Sequence, residues 1–150
     1  MNTHDRASLH VRDLMSSPAI TVAPTTRLRE IIVLMQDYQC HRLPVVDGTT
    51  LVGIVSLTNI RAAFPDAEAT HDTAAWQVVL DTVRADEIMT TAVMTVAADA
   101  PIAEAAALML TQRVKCLPVI DGERVVGIIT DHDLIRVIPG AVENPAAAPG

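Results

Sequence analysis

The 150 residues leave room for one compact domain or for two small units that share a core, and half of them are apolar, which excludes a wholly disordered chain. A net charge of −7 with one Phe, one Tyr and one Trp provides neither the positive surface nor the stacking platforms that a nucleic-acid polymer requires. Apolar runs such as Ala105 to Leu110 are far shorter than the roughly 18 residues of a spanning helix, and charges stand at the N-terminus where a signal core would lie, so a soluble cytoplasmic protein with no membrane partner is expected.

Along the chain, residues 1–10 read as a flexible N-terminus. A short strand is expected around Thr21-Val22-Ala23. Leu28, Ile31, Ile32 and Met35 then fall at i, i+3, i+4, i+7, which predicts a helix with one apolar face after Pro24-Thr25-Thr26. Val45-Val46-Asp47-Gly48 followed by Leu51 to Val55 predicts a β-hairpin. Ser56, ahead of Leu57-Thr58-Asn59-Ile60, is a hydroxyl N-cap opening a short helix. Phe64-Pro65 breaks the chain, and Trp76, Val79, Leu80 and Val83 lie at helical spacing, which predicts a linking helix within 67–84 packed on the rest. The same order then returns: Ile102, Ala105, Ala106 and Met109 on a helix, Val119 to Gly122 and Val125 to Ile129 as a hairpin, and Thr130 as the cap of a last helix. Residues 139–150, rich in Ala and Pro, read as a flexible tail.

A shift of 74 positions aligns residues 11–61 with 85–135 without a gap. Met15 meets Met89, Thr21-Val22-Ala23 meets Thr95-Val96-Ala97, and Glu30, Leu34 and Met35 meet Glu104, Leu108 and Met109. Leu43-Pro44-Val45-x-Asp47-Gly48 meets Leu117-Pro118-Val119-x-Asp121-Gly122, and Val52-Gly53-Ile54 meets Val126-Gly127-Ile128. The chain is one strand-helix-strand-strand-helix unit, duplicated. The fold class is α+β, with repeats at 11–66 and 85–138. A unit of about 50 residues buries too little surface to stand comfortably alone, so the two are expected to pair sheet against sheet.

The stretch from His41-Arg42-Leu43-Pro44-Val45-Val46-Asp47-Gly48 to Gly53-Ile54-Val55-Ser56-x-x-Asn59-Ile60 resembles the second half of a cystathionine-β-synthase (CBS) domain. Lys115-Cys116-Leu117-Pro118-Val119-Ile120-Asp121-Gly122, with Gly127-Ile128-Ile129-Thr130-x-x-Asp133-Leu134, resembles it again, as do the openings Asp13-Leu14-Met15 and Glu87-Ile88-Met89. The resemblance implies a tandem CBS pair of two β-α-β-β-α repeats with pseudo-two-fold symmetry, binding adenosine-containing ligands in clefts between the repeats. It assigns the hydroxyl before the last helix to phosphate or ribose and the acid three positions on to the ribose hydroxyls. It assigns backbone of the opposite repeat's first strand to adenine, and basic residues before the Leu-Pro-Val strand to phosphates.

One implied site then comprises Ile20, Thr21 and Val22 with Lys115, Ile128, Thr130 and Asp133; the other comprises Met94, Thr95 and Val96 with His41, Arg42, Ile54, Ser56, Thr58 and Asn59. An ionised carboxylate is an acceptor for both ribose hydroxyls, and a helix N-terminus favours anions. Asn59 departs from that pattern, since an amide has one acceptor oxygen. The first site is therefore the expected nucleoside site, with AMP, ADP or ATP as ligand and NAD or S-adenosylmethionine as further possibilities.

Simpler roles stand beside these. Thr130-x-x-Asp133 also fits a helix cap contributing about 1 kcal/mol. His41, Arg42 and Lys115 also fit solvated hairpin ends. Asp131, His132 and Asp133 are consecutive and so do not make a metal site, and Cys40 and Cys116 lack the spacing of a zinc or redox motif and fit small buried thiols. The six glycines form neither a GxGxxG nor a phosphate-binding loop, and no nucleophile setting appears, so catalysis is not expected. The expectation is a regulatory, ligand-sensing protein that forms a homodimer and signals through its own association or an effector protein. The alternative is an interaction or structural module that retains no ligand site.

Overall fold

The computed structural model describes residues 9–64 and 73–137. The terminal segments expected to be flexible, apart from Leu9 and His10, lie outside these residues, as do Pro65 and the start of the expected link. The described chain divides into two compact units: Ile20 to Val93, and the residues up to Ala19 together with those from Met94 onward.

In the first unit, helix α2 (Leu28–Tyr38) follows the opening turn α1 (Val11–Leu14) in the chain and buries Leu28, Ile31 and Met35, three of the four positions that the apolar spacing singles out. It ends at Gln39, which takes the left-handed conformation (φ 51°) and lets the chain reverse into the hairpin. Strands β1 (Arg42–Asp47) and β2 (Thr50–Ser56) pair antiparallel, with Val45 opposite Gly53 and a positive φ at Gly48 in the turn, where a side chain would be strained. The strand expected at Thr21–Ala23 is reduced here to Val22, bridged in parallel to Val45. Its amide donates to Pro44 O at 3.0 Å and its carbonyl accepts from Val46 N at 2.8 Å. Helix α3 (Leu57–Ala63) buries Ile60.

Helix α4 (Thr73–Thr82) lays Val79 and Leu80, with Val83 just beyond it, against this unit's core of Leu28, Ile31, Leu43, Val45, Val55 and Ile60. Trp76 meets Phe64 edge-on, ring centroids 6.0 Å apart. The Arg29 guanidinium grips Asp81 at 2.7 Å, which lowers the Asp81 pKa and raises that of Arg29.

The other unit repeats the pattern. Turn α5 (Ala85–Ile88) belongs to the first unit, and strand β3 (Val96–Ala97) starts the second, pairing in parallel with β4 (Cys116–Asp121). Strand β4 pairs antiparallel with β5 (Arg124–Thr130), in a register equivalent to that of β1 and β2. Helix α6 (Ile102–Gln112) buries Ala105 and Met109, and the short helix α7 (Asp131–Ile135) ends the repeat. Val11, Val96, Leu117, Val119 and Ile129 fill this core.

The units therefore do not coincide with the sequence repeats, because each takes its opening turn from the other repeat. Val11 of α1 is completely buried in the unit of the second repeat, its amide donating to Ala100 O at 2.9 Å. Ser16 exchanges amide-carbonyl bonds with Ile128 at 2.8 and 3.0 Å. In the first unit Ala85 N donates to Thr26 O at 2.9 Å, and Thr90 exchanges two 2.9 Å bonds with Ile54.

The glycine before each Ile permits this approach. A Cβ at Gly127 would lie 2.7 Å from both Met15 Sδ and Ser16 O, and one at Gly53 would lie 2.5 Å from Met89 Sδ. No side chain larger than hydrogen fits.

Two predictions follow from this packing. Val11→Ala should cost about 2 kcal/mol and accelerate amide exchange in β4 and β5. Faster exchange confined to β1 and β2 would contradict the exchange of opening turns. Asp81, with its lowered pKa, contributes stability above the ordinary carboxylate range and loses it as pH falls through the lowered value. The protection factors of the α4 amides, corrected for the intrinsic exchange rate at each pH, should thus fall in acid in the wild type, with a weaker pH dependence in Asp81→Asn.

Candidate ligand-binding site

The register of β4 and β5 sets Cys116 opposite Thr130, and Asp131 N donates to Lys115 O at 2.9 Å. One end of the hairpin therefore collects Lys115, Thr130 and the start of α7, with Ile128 two residues earlier on β5 and so on the same face as Thr130. Asp133, the third residue of α7, is 7% exposed and is the one buried polar or charged side chain among the described residues.

A buried charge is tolerated only with partners, and Asp133 has them on both oxygens. Its Oδ2 accepts from Thr130 N at 2.8 Å and from Thr130 Oγ1 at 3.1 Å. Asp133 N donates in return to Thr130 Oγ1 at 3.3 Å, completing a capping box. Oδ1 takes no part in the cap and pairs with the Arg136 guanidinium. Sequence reasoning missed Arg136, although its i+3 spacing from Asp133 across the end of α7 was a usable signal.

The first repeat builds the same turn from a neutral residue. Ser56 N and Ser56 Oγ both donate to Asn59 Oδ1 at 2.9 Å, and Asn59 N donates to Ser56 Oγ at 3.2 Å. These two bonds use both lone pairs of the amide's only oxygen, so Asn59 keeps no acceptor for a hydroxyl. His41 O accepts from Leu57 N at 3.0 Å, and Arg42 stands opposite Ser56, so His41, Arg42, Ile54, Ser56 and Asn59 gather at the equivalent hairpin end, with Thr58 exposed.

Ile20, Thr21 and Val22 belong to the unit of the first repeat, and Met94, Thr95 and Val96 to that of the second. In the unit that holds Asp133, the residues brought together are Lys115, Ile128, Thr130 and Asp133.

A groove of about 430 Å³ opens between α2 and α3, lined in part by Ile32, Met35, Cys40, His41 and Leu57. Partial burial pushes the Cys40 thiol pKa up, which disfavours the nucleophilic thiolate. Cys40 and Cys116 are both half-buried. Among the described residues no three His, Cys, Asp or Glu side chains converge as metal ligands; His132 is mostly exposed and contacts Asp131 at 3.0 Å. Among the same residues no helix is long and apolar enough to cross a membrane.

Comparison with known proteins places these features in a family. The CBS domain profile matches twice, over residues 11–66 and 85–140. The chain belongs to the CBS domain family. The α+β fold and the tandem CBS repeats expected from the sequence are both present. The CBS domain pair of protein MJ0100, solved with 5-methylthioadenosine and S-adenosyl-L-methionine, is 30% identical with a TM-score of 0.68, over 85% of this chain and 94% of that one. CBSX2 in complex with AMP is 26% identical with a TM-score of 0.68, over 85% and 93%. The A-adding tRNA nucleotidyltransferase of Geobacter sulfurreducens is 33% identical over 124 residues, 83% of this chain and 13% of that protein. This chain spans between 13% and 23% of the first three curated relatives it matches.

The two caps of this CBS pair should not be equivalent. Ser56→Ala removes a neutral cap and should cost about 1 kcal/mol. Thr130→Ala also removes the hydroxyl's hydrogen bond to a buried carboxylate and should cost about 2 kcal/mol or more. Denaturant unfolding of both variants measures the difference, and equal losses would contradict the burial argument.

Proposed function

We propose that this CBS pair is a regulatory module, not an enzyme, that binds an adenosine-containing ligand and reports it through a change of conformation or association. The observation that carries the reading is Asp133: a buried carboxylate at the end of the second hairpin, with an oxygen outside the cap. Such an oxygen accepts O–H donors strongly, as recognition of a ribose requires. The adenosine compounds bound by the MJ0100 pair and by CBSX2 support the same ligand class.

The proposed site comprises Lys115, Ile128, Thr130 and Asp133 at the end of the second hairpin. AMP, ADP and ATP are the first candidates, followed by NAD and S-adenosylmethionine. The second set, His41, Arg42, Ile54, Ser56, Thr58 and Asn59, offers positive charge but no free acceptor at Asn59. It suits a different ligand, or none.

A ligand shifts an equilibrium only by its differential affinity for two states, so signalling here works through closure of the site or altered packing. A homodimer, reading out to an effector protein, is part of the same proposal. Sedimentation at the monomer mass of 16.0 kDa would remove the dimer from it.

The loss of an acceptor at Asn59 favours a second reading, in which the first repeat serves contact with another protein rather than a ligand.

Calorimetric titration of AMP, ADP, ATP, NAD and S-adenosylmethionine into ligand-stripped protein tests the proposal. Micromolar binding, about −8 kcal/mol, is expected for at least one, weakened tenfold or more by Asp133→Ala and little changed by Asn59→Ala. The same ligand at 100 times its Kd should add about 2.7 kcal/mol to stability. Binding indifferent to Asp133 would transfer the site to the Asn59 set, and no binding would favour the interaction module.

A further inference from the structure

The hydrogen bonds of Asp133 are divided unequally between its oxygens. Oδ2 is filled by the Thr130 amide and hydroxyl. Oδ1 is held by Arg136 alone among the described partners, and a carboxylate oxygen accepts about two donors, so one place remains there. A ribose presents two vicinal hydroxyls. Both can bond to Oδ1 only if the guanidinium leaves.

We propose that Arg136 is the specificity-determining residue of the Asp133 site: a ligand with a vicinal diol displaces its guanidinium from Oδ1, whereas a ligand with one hydroxyl binds beside it. The inference rests on the reading of Asp133 as the ribose acceptor and assigns a role to a residue outside that reading.

The chemistry favours the exchange. The Arg136 side chain is 62% exposed and that of Asp133 10%, so the freed guanidinium regains water while the carboxylate gains two O–H donors. The corresponding helix of the first repeat carries its arginine one position earlier, at Arg61. Where Asp133 becomes Asn59, the position equivalent to Arg136 is Ala62, and the amide, carrying no charge, needs no counter-ion. Displacement also provides an output, since diol binding frees a cation at the surface and binding of a deoxy ligand does not.

The test is titration of adenosine, 2′-deoxyadenosine and 3′-deoxyadenosine into the wild type, Arg136→Ala, Arg136→Lys and Asp133→Ala. These ligands carry no phosphate, so the loss of a positive charge does not itself alter the comparison. Arg136→Ala should tighten adenosine about fivefold while both deoxynucleosides stay within about twofold, raising the ribo-to-deoxy ratio; Arg136→Lys, which keeps a donor, should return the ratio most of the way to wild type. A ratio unchanged in Arg136→Ala, with binding still dependent on Asp133, overturns the role of Arg136 and leaves the ribose reading standing. Wild-type protein that binds neither adenosine nor AMP, or binds them regardless of Asp133, overturns both. Circular dichroism of each variant confirms the fold, and the ratio is a readout that general loosening would not move in one direction.

Discussion

The pairing of each hairpin with an opening turn from the other repeat is the constraint on which the remaining structure depends. Ser16 with Ile128, and Thr90 with Ile54, each exchange two backbone hydrogen bonds, and each pair lies over a glycine with no space for a side chain. A single repeat of about 50 residues buries little apolar surface. By taking in Val11 or Ala85, each unit completes its core with a residue from outside its own repeat. The hairpin is thereby held on one side by its helices and on another by the incoming turn, and its end becomes a defined place for polar groups. The duplication is thus more than two copies in a row, since neither core is complete from its own repeat.

On this common frame the two hairpin ends differ by a small number of atoms. Both use a hydroxyl to cap a short helix, and in both the cap residue's amide donates to a side-chain oxygen three positions on. In the first repeat that oxygen is the only one Asn59 has. In the second it is one of two, and the other brings a negative charge that must be neutralised inside the protein. Charge, counter-ion and spare acceptor therefore arrive together at Asp133 and Arg136, and are together absent at Asn59 and Ala62. The structural cap and the proposed ribose acceptor can occupy the same residue without competing, because they use different oxygens.

Much of this was legible in the sequence because it is local. The apolar spacing from Leu28 to Met35 finds its helix, Asp47-Gly48 its turn, and Ser56 and Thr130 their caps, since each depends on neighbours within a few positions. The resemblance carried by Leu43-Pro44-Val45 and its repeat led to the family. The exchange of opening turns was not legible. Asp13-Leu14-Met15 and Glu87-Ile88-Met89 mark the start of each repeat but do not say which core receives them; that is decided by bonds between residues far apart in the chain, such as Val11 to Ala100 and Ala85 to Thr26. Arg136 escaped for a different reason, because an arginine near a helix end usually reads as a solvated side chain, and only the burial of Asp133 makes it a counter-ion.

The inequality of the two hairpin ends is the central claim, and the number of ligands bound per chain at saturation tests it most directly. Equilibrium dialysis of stripped protein against the tightest adenosine ligand should give one molecule per chain at the Asp133 end. Two molecules per chain, bound with equal affinity, would show that Asn59 and Asp133 serve the ligand alike and would contradict the account.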